Sequence, residues 1–206
     1  MQAVQIHEHG GPEVLKLVEL PDPTPGPGEV LCRVLAVSVN HLDLWVRRGM
    51  PGMPLPLAMI PGCDGTGEVV GLGEGVTSFS VGDRVVLEPG YSSGESAHDL
   101  SGDDHLSADY RIRGEHSDGL DCELVVMPER HLTVIPEGLD PVAAAAVPLV
   151  FLTAWGMVVS RAALQAGETA LVLGGASGVG SAAIQIAKDL GARVVTTAGS
   201  DEKLAL

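Results

Sequence analysis

The chain is poor in aromatic rings, in positive charge and in cysteine. Phe, Trp and Tyr make up 3% of its 206 residues, while apolar types together reach 45%. A core is therefore available, but it has to be built from Val, Leu, Ile and Ala. Lys and Arg number 12, nine of them Arg, against 27 Asp and Glu, for a formal net charge of −15. Phosphate backbones and anionic bilayers both attract basic surfaces, so this balance argues against nucleic-acid and membrane partners. The cysteines, Cys32, Cys63 and Cys122, are odd in number and widely spaced. No disulfide framework reads from them, and a reducing, cytoplasmic compartment is the expectation. The N-terminus MQAVQIHEHGG lacks the basic-then-apolar order of a secretory leader.

One uncharged run, Val142 to Val159, spans 18 residues, the lower limit for a bilayer span. Pro148, Thr153, Trp155 and Gly156 interrupt or dilute it. Asp140-Pro141 in front supplies an N-cap and a proline at the first helical position. The run predicts one buried helix of a water-soluble protein.

Before that run the sequence reads as strands and turns. Met1 to Ile6, Val14 to Leu20, Glu29 to Val39, Glu68 to Val70 and Arg84 to Leu87 are strand candidates, and PDPTPGPG at 21–28 is a rigid link. Short strands at such spacing suggest a barrel. Residues 88–123 differ: ten acids with scattered Gly and Ser form a loop or lobe. Cys122 to Met127 returns to strand.

After Asp140 the pattern changes. Thr169 to Leu173 (TALVL) is a short apolar run, like a buried parallel strand. GGASGVG follows, then helical spacing of Ala183, Ile186, Ala187 and Leu190, then the strand Arg193 to Thr197. Strand, glycine turn, helix and strand make one βαβ unit. A pyrophosphate fits such a turn, because open backbone N–H groups and the helix dipole both favour its charge. Gly175, Ser177, Gly178, Val179 and Gly180 are the candidate contacts. The match to G-x-G-x-x-G is imperfect, since Ser177 stands at the second glycine. No acid ends the second strand, so a 2′-phosphate meets no repulsion there, and Ser200 and Lys203 are placed to contact it. NADPH is the expected cofactor, with NADH the alternative.

The segments MQAVQIHEHGGPEVLKLVELPDPTPGPGEVLCRV, NHLDLWVRRG, PGCDGTGEVVGLGEGVTSFSVGDRVV, VPLVFLTAWGMVV and GGASGVGSAAIQIAK resemble medium-chain dehydrogenase/reductases over the whole chain. The likeness is to zinc-type alcohol dehydrogenases and quinone oxidoreductases. It implies a GroES-like β-barrel catalytic domain at 1–135, a connecting helix region at 136–166, and the beginning of an α/β Rossmann domain at 167–206. It also implies that His41 is a cofactor-phosphate contact.

Three departures from the family matter. Zinc-dependent members hold a catalytic metal with Cys, His and Cys, and the matching positions here are Asn40, Cys63 and Leu149. Leu149 has no donor atom, so no metal ligand is assigned and no zinc is expected. A structural-zinc lobe has four cysteines in a C-x2-C-x2-C-x7-C run. That frame holds Ser93, Ser96, Asp99 and Ser107 here, and a loosened lobe is the expectation. Only two strands and one helix follow Gly167, where a Rossmann domain has about six strands. The stretch therefore reads as part of a longer chain or an incomplete gene product, expected to bind dinucleotide weakly and to turn nothing over by itself.

The function expected is hydride transfer from NADPH to a quinone, enone or other activated carbonyl without zinc. Asn40, Asp43 and Thr153 are the candidate catalytic residues. Asn40 would bond the substrate carbonyl or the cofactor amide, and Thr153 would lie beside the nicotinamide, contacting the cofactor. A zinc alcohol dehydrogenase and an inert binding fragment are the alternatives. A homo-oligomer acting on a small molecule is expected.

Overall fold

Alternation governs the first half of the molecule. Along Glu29–Val37, Val30 and Cys32 are fully buried while Arg33 and Leu35 face out, the period of a strand with one face on a core. A computed structural model describes residues 1–52 and 54–205. In chain order its elements are β1 (Gln2–Gln5), β2 (Lys16–Glu19), β3 (Glu29–Val37), α1 (His41–Arg48), β4 (Gly65–Leu72), β5 (Arg84–Leu87), β6 (Gly90–Tyr91), α2 (Ala97–Ser101), β7 (Arg111–Ile112), β8 (Leu124–Pro128), β9 (Leu132–Val134), α3 (Pro141–Ala145), α4 (Pro148–Trp155), β10 (Thr169–Val172), α5 (Gly178–Asp189), β11 (Arg193–Thr196) and α6 (Asp201–Leu204). The chain divides into two compact units, Met1–Pro148 and Leu149–Leu206.

In the first unit five strands form an antiparallel sheet in the order β8-β3-β4-β5-β9. Register shifts between Leu31 and Cys32 and between Val34 and Ala36 bend β3 against β4, as bulges do where a sheet must curl. Val30, Cys32, Val69, Val85, Leu87, Leu120 and Met127 are fully buried beneath the sheet. Such a burial stabilises by about 1.5–3 kcal/mol per large aliphatic side chain. Gly65 is required by the pairing itself. A Cβ there would stand 2.5 Å from the Ala36 carbonyl oxygen.

In the second unit β10 and β11 pair in parallel, from Thr169 opposite Arg193 to Val172 opposite Thr196, and α5 packs on them. Ala154 of α4 meets Ala182 and Ala183 of α5, with Ile186 beside them, in a small aliphatic core. The run at 142–159 is not one buried helix. Pro148 carries no N–H for a continuing helix, so α3 stops at Ala145, α4 starts at Pro148, and a π-helical turn over Gly156–Arg161 follows. Val142 and Leu152 are more than half exposed, at 67% and 55%. No helix among the described residues is long and apolar enough to cross a membrane.

The acidic segment expected to be loose is bonded internally. The Ser96 and Ser107 hydroxyls lie 2.9 Å apart, and Ser107 also donates to Asp109 at 2.6 Å. Asp99 accepts from Ser92 Oγ at 2.6 Å and from the Ser96 N–H at 2.8 Å. The Ser93 N–H donates to Asp109 at 3.1 Å. Hydrogen bonds thus join the four positions of the zinc-lobe frame, with Ser92 and Asp109 as members the spacing did not single out. The Ser107 and Ser93 side chains hold the Asp109 carboxyl down to about 2, and Ser92 above all lowers that of Asp99. A depressed folded-state value stabilises above the ordinary carboxylate range near 4, and that contribution is lost as pH falls through about 2. Amide exchange over residues 92–109 should therefore rise between about pH 4 and pH 2 before it rises in β3–β5. Asp109→Asn should raise it at neutral pH. Exchange in the lobe that tracks the sheet at every pH would contradict this.

Candidate functional site

The loop from β3 into α1 and the start of β4 build a buried polar cluster. Asn40 is the N-cap of α1, and its N–H donates to Asp43 Oδ2 at 2.6 Å in a capping box. The Asn40 side chain turns inward. Its Nδ2 lies 2.8 Å from Asp64 Oδ1, 3.0 Å from Ser38 Oγ and 3.3 Å from Cys63 Sγ. Ser38 Oγ donates to Asp64 Oδ1 at 2.5 Å. Asp64 is 1% exposed and Cys63 fully buried.

Burial dominates the electrostatics here. It raises the Asp43 carboxyl, helped by the Asp64 charge, while the Asn40 N–H pulls it back. Asp43 Oδ1 is buried and has no hydrogen-bond partner among the described residues. Burial, then the charges of Asp43 and Asp64, push the Cys63 thiol up, so it stays protonated at neutral pH. Asp121, beside Gly62, is pushed up to about 6 by burial and by Asp43. The fold thus brings Asn40 and Asp43, both named from the sequence as candidates, into direct hydrogen-bond contact. It adds Ser38, Asp64 and Asp121, which the sequence reading passed over as site residues. Ser38 had a signal, standing two residues before Asn40 in an extended stretch. Asp64 had one too, standing next to Cys63, whereas Asp121 had none, because its proximity depends on the fold. His41 opens α1, is exposed, and lies 6.2 Å from the Trp45 ring.

In the second unit the glycine turn sits at the N-terminus of the twelve-residue α5. Ser177 caps the helix: its Oγ accepts from the Gly180 N–H at 3.1 Å and donates to the Gly174 carbonyl at 2.7 Å. The Gly174 N–H donates to Thr197 Oγ1 at 3.2 Å, and the Gly175 N–H to the Thr197 carbonyl at 3.0 Å. The Ser177 N–H bonds the Gly174 carbonyl at 2.9 Å. Among the described residues no such partner meets the N–H groups of Ala176, Gly178 and Val179. Those of Gly178 and Val179 are orphan donors of the helix start, that of Ala176 belongs to the turn before the cap, and together they suit a phosphate. Gly175 and Gly180 are buried, whereas Ser177 and Gly178 are exposed.

Other sequence candidates lie on the neighbouring elements α4 and α6. Ser200 caps the short α6, accepting from the Lys203 N–H at 3.4 Å, and both residues are exposed. Thr153 on α4 is exposed, and its hydroxyl donates to the Leu149 carbonyl one turn back at 2.7 Å. Thr196 and Thr197, which no motif marked, tie the end of β11 to the turn: Thr196 Oγ1 donates to the Val172 carbonyl at 2.8 Å.

Known proteins share this arrangement. Residues 26–137 match the family described as the alcohol dehydrogenase GroES-like domain. The chain is 34% identical over 203 residues to a quinone oxidoreductase of Sus scrofa, covering 98% of this chain and 54% of that protein. It is 34% identical over 208 residues to alcohol dehydrogenase 1 of Emericella nidulans, covering 100% of this chain and 59% of that one. A crystal structure of an NAD-dependent alcohol dehydrogenase superposes with a TM-score of 0.95 at 49% identity, over 100% of this chain and 60% of that one. The chain thus spans somewhat over half the length of these relatives. With its antiparallel sheet and the glycine turn that follows it, the chain belongs to the alcohol dehydrogenase GroES-like family, within the medium-chain dehydrogenase/reductases.

Proposed function

We propose that the protein carrying these residues transfers a hydride from NADPH to an electron-poor small molecule, a quinone, an enone or another activated carbonyl, without catalytic zinc. The observation that carries the reading is the turn at 174–180, where the open N–H groups of Ala176, Gly178 and Val179 meet the dipole of α5. NADPH supplies the hydride when bound. Gly175, Ser177, Gly178, Val179 and Gly180 form the bed for its pyrophosphate. Ser200 and Lys203 bind the 2′-phosphate, which no carboxylate at the end of β11 opposes. His41 adds a further phosphate contact, and Thr153 lies against the nicotinamide. Asn40 bonds the cofactor or substrate, and Asp43 holds Asn40 by its backbone N–H.

The residues at the family's zinc positions do not fit zinc. The Asn40 nitrogen points hydrogens, not a lone pair, at its neighbours. Cys63 is the one good zinc ligand of the three positions, and a single thiolate does not make the tetrahedral protein set that zinc takes. Leu149 offers only carbon. Without a Lewis acid an alcohol keeps its high hydroxyl pKa, so an acceptor that is already electron-poor is the better substrate. Elemental analysis of the purified protein should find no stoichiometric zinc. One zinc per chain retained through mild chelation would overturn the zinc-free reading.

A second reading has one observation behind it. The solved structure that is 49% identical is described as an NAD-dependent alcohol dehydrogenase, which favours NAD and an alcohol. Retained zinc together with alcohol oxidation by NAD would establish it.

A further inference from the structure

We propose that Thr197 is a positioning residue for the pyrophosphate of the dinucleotide. It acts through the glycine turn, tying the N–H groups of Gly174 and Gly175 to the end of β11, so that the turn is held on the sheet and those of Ala176, Gly178 and Val179 stay open. The ligand half of this statement rests on the dinucleotide reading above. The anchoring half stands on the geometry of the second unit alone.

A turn this rich in glycine needs an anchor outside itself. Gly174, Gly175 and Gly178 carry no Cβ, and Gly174 sits at a φ of +69°, so ordering this backbone costs more entropy than ordering any other residue type. The bonds within the turn close it on itself. The Ser177 N–H and Oγ both donate to the Gly174 carbonyl, at 2.9 and 2.7 Å, and the Gly180 N–H donates to Ser177 Oγ at 3.1 Å. These bonds fix the curl of the turn but not its place on the sheet. Thr197, 23 positions beyond Gly174, supplies that place with its N–H, its hydroxyl and its carbonyl. Its N–H donates to the Val172 carbonyl at 3.2 Å, its Oγ1 accepts from the Gly174 N–H at 3.2 Å, and its carbonyl accepts from the Gly175 N–H at 3.0 Å. Thr196 closes the same joint from its other side. A Cβ on Gly175 would run into Thr196 Oγ1, which is itself held at 2.8 Å by the Val172 carbonyl.

Two N–H groups spent on Thr197 cannot turn to a phosphate. The donors left open gather at the start of α5, where the helix dipole favours an anion. Without the Thr197 hydroxyl the Gly174 N–H is released and the turn regains freedom. Binding must then reorder the turn before the phosphate gains its bonds. That loss falls on ligands that carry a pyrophosphate and spares those that do not.

Amide exchange in the whole protein reads the anchor with no ligand present. In the wild type the Gly174 N–H should exchange at least about tenfold more slowly than the open N–H of Gly178. Thr197→Val should speed exchange at Gly174 about fivefold, roughly the worth of one hydrogen bond, and leave the β10–β11 ladder unchanged. Thr197→Ser should keep the wild-type rate. A wild-type Gly174 N–H as fast as that of Gly178 overturns the proposal whether or not the variants fold. An unchanged rate at Gly174 in Thr197→Val, or an equal rise all along β10 and β11, also overturns it. The ligand half is read from the affinities for ADP-ribose, which carries the pyrophosphate, and for adenosine, which does not. The wild type should favour ADP-ribose at least about tenfold. Thr197→Val should lower that ratio about fivefold with adenosine binding unchanged, and Thr197→Ser should keep it. A ratio unchanged in Thr197→Val, whether the two affinities stay or fall together, overturns the ligand half. A wild type that binds ADP-ribose no better than adenosine overturns the dinucleotide reading, and exchange at Gly174 then decides the anchor by itself.

Discussion

In the whole protein, Gly180→Val is expected to weaken dinucleotide binding by about 30-fold or more. Gly180 is buried at the third position of α5. A Cβ there would run into the Gly174 carbonyl oxygen and stand 2.9 Å from both Gly175 Cα and Ser177 Oγ. All three belong to the turn or its cap, so none yields without moving the open N–H groups. The cap bond from the Gly180 N–H to Ser177 Oγ goes with them. Overpacking costs about 1–3 kcal/mol and a lost cap about 1 kcal/mol, together about one and a half to three powers of ten in a binding constant. Gly156→Ala is the control, since a Cβ there meets nothing within 4 Å. Fluorescence titration with NADPH, beside a melting curve for each variant, reads the effect. Binding of the Gly180 variant within threefold of the wild type would mean the turn is not the phosphate site.

Ala198→Asp is expected to move cofactor preference from NADPH towards NADH by about 10- to 100-fold. The end of β11 carries hydroxyls where a dinucleotide fold usually places a carboxylate. Both hydroxyls are engaged with the first strand and its turn: Thr196 donates to the Val172 carbonyl and Thr197 accepts from the Gly174 N–H. A new carboxylate one residue on would repel a 2′-phosphate and accept from a ribose hydroxyl. A like-charge pair at an effective dielectric near 20 is worth about 2–4 kcal/mol at separations of about 4–8 Å before salt screens it. The ratio of the two dissociation constants is the readout, and an unchanged ratio would remove this position from the specificity site. A wild type that already favours NADH would overturn the NADPH assignment itself.

Local chemistry was legible in the sequence where a single element carries it. β5 at Arg84–Leu87 follows from its apolar run, and TALVL with the glycine turn and helix after it forms the βαβ unit expected, but the strand is not buried, with Leu171 and Leu173 exposed. β4 runs Gly65–Leu72, longer than the Glu68 to Val70 read from pattern. Gly65 and Gly67 look like turn residues in sequence, yet they serve the close approach of β3. The uncharged run was misread because its hydrophobicity outweighed the break that Pro148 imposes. The site was half legible. Asn40 and Asp43 share a capping box and sit three residues apart, whereas Asn40 reaches Asp64 across 24 positions. That contact exists only once β3 and β4 pair, and no spacing rule encodes it. The acidic lobe shows the same limit. Its four-position frame was visible, but the carboxylate that Ser107 bonds at 2.6 Å, Asp109, lies outside it.

The most direct test is a transfer assay on the whole protein after chelation, with its zinc content measured on the same sample. NADPH carrying deuterium at the transferred position is mixed with a small quinone or enone. The zinc-free account predicts one NADPH oxidised per acceptor reduced, deuterium in an enone product, and a rate that neither chelation nor added zinc changes. A protein inactive until zinc is restored, which then oxidises alcohols with NAD, would contradict it.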